Sequence, residues 1–198
     1  MVVIPIRKML FIHIPCTSGT TVTSALLQGH HWNRLWDGWM LPGNGDLFHM
    51  TARDSKRWFD GFGTFTIIRN PWRCIESIWR RFTDAGINSQ KYPTWSDPFV
   101  AYCKSLLTTS FVDFIKEFFA SRPGGFYRHW CDDDTTIFRY EDKPYEDIAK
   151  FLDLPLQFKV LNVNSSPHPQ WTQEAVDLIG DFCKCDIKTF GYDYYGTN

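Results

Sequence analysis

The 198-residue chain has no long hydrophobic run, no excess of charge of either sign, no paired-cysteine motif, and no lysine in its most conspicuous loop. Nothing approaches the about 20 consecutive apolar residues of a membrane span. The opening Met1-Val2-Val3-Ile4-Pro5-Ile6-Arg7-Lys8 lacks the apolar core and small-residue cleavage site of a secretory signal. The expectation is a soluble, cytoplasmic protein without a membrane partner. With 21 basic against 22 acidic residues, bulk charge supports neither a nucleic-acid surface nor a polybasic anchor, so any anion must be bound locally. The cysteines at 16, 74, 103, 131, 183 and 185 lack the two-residue spacing of a zinc site, and reduced thiols are the expected state. Repeats, low-complexity tracts and Ser/Gly linkers are also missing. At 43% hydrophobic, the chain can fill one core, so residues 1–198 read as a single domain.

What is present is an alternation of short apolar strands with helical patterns. Met9–Ile14, Leu47–Met50, Thr64–Arg69 and Thr135–Tyr140 are β-branched or aromatic runs. Helical spacing marks Asp54–Phe59, Pro71–Thr83, Asp97–Ala120 and Thr172–Phe190. Such an order predicts an α/β fold of three layers, a mostly parallel sheet flanked by helices. Gly29–Asp46 and Ile87–Pro98 read as loops, and plausible substrate lids, from their Gly, Pro, Asn and Trp content. Asp132-Asp133-Asp134 reads as a solvated turn, and no metal site is expected.

The conspicuous loop is Pro15-Cys16-Thr17-Ser18-Gly19-Thr20-Thr21, which follows the first of those strands and leads into a helix carrying Val22, Leu26 and Leu27. A helix entered straight from a strand turns unpaired N–H groups and the positive end of its dipole toward one point, where an anion is stabilised. Because no Lys follows Gly19, the pattern departs from the common phosphate loop and argues against a magnesium-dependent kinase. A second anion signature begins at Arg69-Asn70-Pro71, with Asn70 as N-cap and Pro71 at the first helical position. At a period of about 3.6 residues, Arg73, Ser77, Arg80 and Asp84 share one face of that helix, while Trp72, Ile75, Trp79 and Phe82 share another. Two such sites on one sheet suggest a single ligand with two phosphate ends.

These segments resemble the sulfotransferases that use 3′-phosphoadenosine 5′-phosphosulfate (PAPS), particularly the carbohydrate-type and bacterial branch. Residues His13 to Thr21 are similar to that family's His-Ile-Pro-Lys-Thr-x-Gly-Thr-Ser loop, with Cys16 in the place of its Lys. Arg69-Asn70-Pro71 with Ser77 matches its second motif, and His49-Met50-Thr51-Ala52-Arg53 matches the segment before that motif. Arg139-Tyr140-Glu141-Asp142, residues 164–171 and residues 186–192 are similar to its C-terminal half, so the likeness runs through the chain in order.

The resemblance implies a P-loop-like sulfotransferase architecture and transfer of a sulfuryl group to a hydroxyl of a carbohydrate or small metabolite, with PAP as product and no metal. It implies that Cys16, Thr17, Ser18, Gly19, Thr20 and Thr21 hold the 5′-phosphosulfate. It gives Arg69 and Ser77 to the 3′-phosphate. His49 becomes the candidate catalytic base, since an imidazole can take the acceptor's proton near neutral pH; His30, His31, Asp46 and Glu76 are weaker candidates. Trp32, Trp36, Trp39 and Trp95 offer flat faces for an acceptor. Cys16 has no positive charge for the leaving nucleotide, so Arg73, Arg80, Lys8 or a helix N-terminus must compensate. The alternative is a catalytically impaired relative that keeps the nucleotide cradle and serves as a sensor or partner-binding module.

Overall fold

The computed structural model describes residues 1–27, 50–92, 96–120, 126–159 and 166–194. They form two compact units, the first drawn from residues 1–69 and 127–159 and the second from 70–126 and 166–194.

The first unit is α/β. Its strands β1 (Val2–Ile4), β2 (Met9–Ile12), β3 (Gly63–Ile68) and β4 (Thr136–Arg139) lie in the order β1-β2-β3-β4. β2, β3 and β4 are parallel, with Phe11 opposite Phe65 and Ile67 opposite Phe138. β1 returns antiparallel on β2, placing Val2 opposite Phe11, through a short turn in which Lys8 has φ 48°. Three of these strands coincide with predicted runs: β2 and β4 are trimmed by two residues each, and β3 starts and ends one residue earlier than predicted. β1 was not anticipated, because three apolar residues before a proline carry no pattern until β2 offers them an edge. Of the predicted strand Leu47–Met50, residues 47–49 lie outside the described residues, and Met50 is not in a strand.

Parallel strands are buried on both sides, hence the unbroken apolar reading of Phe65, Ile67 and Ile68, each fully buried. One face, through Phe11, Phe65 and Ile67, packs with Val22 and Leu26 of helix α1 (Gly19–Leu27) and Ile148 and Leu152 of a later helix, Tyr145–Leu152. In each helix the two core residues are four apart, so they fall on one stripe. Helix α2 (Ala52–Lys56) starts earlier than its predicted Asp54 because the Thr51 hydroxyl accepts from Asp54 N at 3.1 Å and donates to the Asp54 carboxylate at 2.8 Å.

The second unit is helical: α3 (Pro71–Ile87), α4 (Asp97–Ser105), α5 (Phe111–Ala120), then, after α6 (Tyr127–Trp130) and α7 (Tyr145–Leu152) of the first unit, α8 (Gln173–Phe182) and α9 (Lys184–Phe190). Asn70 caps α3 as predicted, accepting from Trp72 N at 3.2 Å. The predicted helix Asp97–Ala120 is divided at Leu106–Thr108, where the hydroxyls of Thr108 and Thr109 turn back onto the Ser105 carbonyl and Ser110 caps α5. Thr172–Phe190 is likewise two helices that meet at Cys183. Gly86 lies in the last turn of α3, which runs past the predicted Thr83 to Ile87. A Cβ there would stand 2.5 Å from the Cys103 carbonyl oxygen, so the glycine permits the close approach of α3 and α4.

Candidate functional site

The site begins where β2 stops. After Ile12 the chain passes through buried His13 and Ile14, turns over Pro15 to Ser18 and enters α1 at Gly19. Cys16 has φ 61° and Ser18 has φ 73°, with Thr17 between them outside the left-handed region. A left-handed conformation is disfavoured for residues with a side chain by about 1–2 kcal/mol, and here it occurs at alternate positions. Left-handed residues in a turn are one way in which backbone N–H groups come to face a common concavity and bind anions.

The loop is held from within. Fully buried Thr17 donates its hydroxyl to the Ile14 carbonyl at 3.0 Å. Gly19 is required by a close approach: a Cβ would fall 1.9 Å from His13 Cδ2, so the imidazole occupies the space where a side chain would be. Ser18 Oγ shares a hydrogen bond of 2.7 Å with the Tyr145 hydroxyl at the start of α7.

Arg69 directly follows β3, beside this loop. Its backbone is clamped by buried Tyr127, whose hydroxyl accepts from Arg69 N at 3.0 Å and donates to Arg69 O. Its guanidinium lies 4.6 Å above the Tyr140 ring, and Nη1 donates to the Cys16 carbonyl across 3.4 Å. No carboxylate pairs with Arg69 among the described residues, although Arg7, Lys56 and Arg57 of the same unit each have one. The loop and Arg69, two separate predictions from sequence, thus share one place.

The chain matches no protein-family model, no curated protein and no solved structure.

The remaining predicted residues are distributed as follows. Ser77 is half-buried on α3, in the second unit. On the same helix Trp72, Ile75 and Trp79 are buried while Arg73 is exposed, as the helical period required. Arg73 pairs with the Glu76 carboxylate at 3.3 Å, and Arg80 Nε donates to the Ser166 carbonyl at 2.8 Å. Both guanidinium groups are therefore engaged. Lys8 sits at the opposite end of β2 from the loop, about 13 Å of strand away, and does not supply the missing charge. His49, His30, His31, Asp46, Trp32, Trp36, Trp39 and Trp95 lie outside the described residues.

Two pairings escaped the sequence reading, one of them that of Glu76, a weaker candidate for the base. Glu76 is a buried carboxylate, 5% exposed at its side chain, bound through one oxygen by His168 Nδ1 and through the other by Arg73. A sequence separation of 92 hid the pair from any local pattern. Asp132 and Asp134, read as a solvated turn, both meet Lys56, at 2.8 and 3.3 Å. Burial opposes the charge on Asp132, but hydrogen bonds from Lys56 and Thr135 outweigh it and hold the carboxyl below its ordinary range.

Proposed function

We propose that the chain is a sulfotransferase that moves a sulfuryl group from PAPS to a hydroxyl of a carbohydrate or small metabolite, with the P-loop-like architecture of the family it resembles. The observation that carries the reading is the loop Pro15–Ser18, left-handed at Cys16 and Ser18, at the start of α1 and in hydrogen-bond contact with Arg69. The free N–H groups at a helix start, with a guanidinium beside them, suit an anionic group with several oxygens. Sulfuryl transfer resembles phosphoryl transfer in having a loose, in-line transition state, so positioned donors at peripheral and leaving oxygens carry most of the catalysis.

In this reading Thr17 and Gly19 keep the loop in shape, while Ser18, Thr20 and the loop backbone bind oxygens of the 5′-phosphosulfate. Ser77 as a 3′-phosphate ligand and His49 as the base rest on the resemblance. The acceptor hydroxyl gives its proton to the base as the sulfur–oxygen bond forms, and PAP departs.

Calorimetry with PAP, with and without magnesium, tests the reading. Binding that does not depend on the metal is the expected result; metal-dependent ATP binding without PAP binding would indicate a kinase and end the proposal. The neutral Cys16 thiol favours a second reading, a catalytically impaired nucleotide-binding relative. Cys16→Lys separates the two: a large gain in sulfuryl transfer marks an impaired site, and robust transfer by the wild type marks an active one.

A further inference from the structure

We infer that Arg69 is the cation for the anion held in the loop of residues 15–19, and so fills the charge role left vacant by Cys16, rather than serving a phosphate at the far end of the ligand. The inference rests on the nucleotide reading above and changes what that reading asks of Arg69.

Four observations carry it. The root of the side chain is fixed, because Tyr127 bonds to both the N–H and the carbonyl of Arg69. Its plane is supported by the Tyr140 ring at 4.6 Å, a contact that suits a guanidinium and leaves its charge in place. Its tip is already at the loop, since Nη1 lies 3.4 Å from the carbonyl oxygen of Cys16 itself. It is half-buried and has no carboxylate partner among the described residues.

A guanidinium partly withdrawn from water is stabilised by an anion, and a carbonyl dipole is only a partial substitute. Arg carries five N–H donors, and one of them is used on Cys16, so donors remain for peripheral oxygens of a phosphosulfate. A lysine at position 16 would have brought its ammonium to the same loop. With Cys16 in its place, the guanidinium of Arg69 is the cation in contact with the loop.

The test uses the two halves of the nucleotide. Wild-type protein, Arg69→Gln and Arg69→Lys are titrated with PAP, adenosine 5′-phosphate and adenosine 3′-phosphate. Arg69→Gln should weaken PAP and the 5′-phosphate alike, by roughly 10- to 100-fold, the loss typical of one or two charge-assisted hydrogen bonds. Binding of the 3′-phosphate should be unchanged, and Arg69→Lys should recover part of the loss.

Tyr140→Leu removes the supporting ring without touching the charge. It should give a smaller loss on the same two ligands, which covers the case in which Arg69→Gln does not fold. A loss confined to the 3′-phosphate, or unchanged PAP binding, overturns the inference while the nucleotide reading stands. Wild-type protein that binds none of the three overturns the nucleotide reading, and the inference with it.

Discussion

Tyr127 holds Arg69 from both sides of one residue: its buried hydroxyl accepts from the Arg69 N–H and donates to the Arg69 carbonyl. The strand β3 ends at Ile68, so Arg69 has no ladder partner of its own, and the phenol replaces the neighbouring strand. Tyr127→Phe leaves two main-chain groups without that partner. A loss of about 1–3 kcal/mol in unfolding free energy is expected, measured by denaturant titration, together with weaker PAP binding. An unchanged midpoint would show that water replaces the hydroxyl without cost.

Gly19→Ala should be destabilising because its Cβ would enter the His13 ring at 1.9 Å. Overpacking of this kind costs about 1–3 kcal/mol. His13→Ala in the same chain empties the space, so the double variant should lose less than the sum of the two single changes. Strict additivity in this cycle would deny the contact.

At Gly86 the neighbour cannot move aside. The Cβ of Gly86→Ala would meet the backbone of Cys103 at 2.5 Å. Destabilisation by more than about 2 kcal/mol is expected. Gly61→Ala is the control: φ there is 74° with open space around it, so only backbone strain of about 1 kcal/mol applies.

The Lys56–Asp132 pair makes stability depend on acid. Although burial pulls the other way, the Asp132 carboxyl is held below its unfolded value by Lys56 and Thr135, so its contribution is present above that unfolded value and is lost as pH falls through the lower, folded one. Lys56 is raised above 10.5, first through its hydrogen bond to Asp132, so its share persists below that value and disappears only at more alkaline pH. Both groups retain some solvent access, so Lys56→Met should cost only about 0.5–1 kcal/mol near neutral pH. The difference from wild type should shrink as pH falls through the lowered, folded-state value of Asp132 and vanish at the pH where that carboxyl is protonated in both states. A difference that stays constant down to that pH would assign the effect to packing.

His49→Ala tests the base that the resemblance implies. Sulfuryl transfer should fall by roughly 10²–10⁴-fold while PAP affinity is kept. Equal turnover would remove His49 from the mechanism.

Much of the architecture could be read from short-range chemistry. The β-branched runs of β2, β3 and β4 and the Asn70-Pro71 start of α3 state their own structure, because propensity, capping and burial pattern agree there. The readings that failed lacked such agreement. Asp97–Ala120 carries one helical period throughout, but the hydroxyl run Thr108-Thr109-Ser110 competes for the backbone and divides it. β1 depends on a partner strand, and the close approach that needs Gly86 is to Cys103, far along the chain. In the candidate site, the strand, the loop and the helix start were legible. The left-handed turns at Cys16 and Ser18 were not, since neither residue type advertises a positive φ.

Short-range preference and hydrophobic period were thus enough to establish a mostly parallel α/β sheet with a turn from its β2 strand into a helix, because both act within a few neighbours. Which cation stands at that loop was decided only by folding. Arg69 is 53 residues from Cys16 and 58 from Tyr127; the parallel pairing of β2 with β3 brings it to Cys16, and the packing of α6 brings Tyr127 to it.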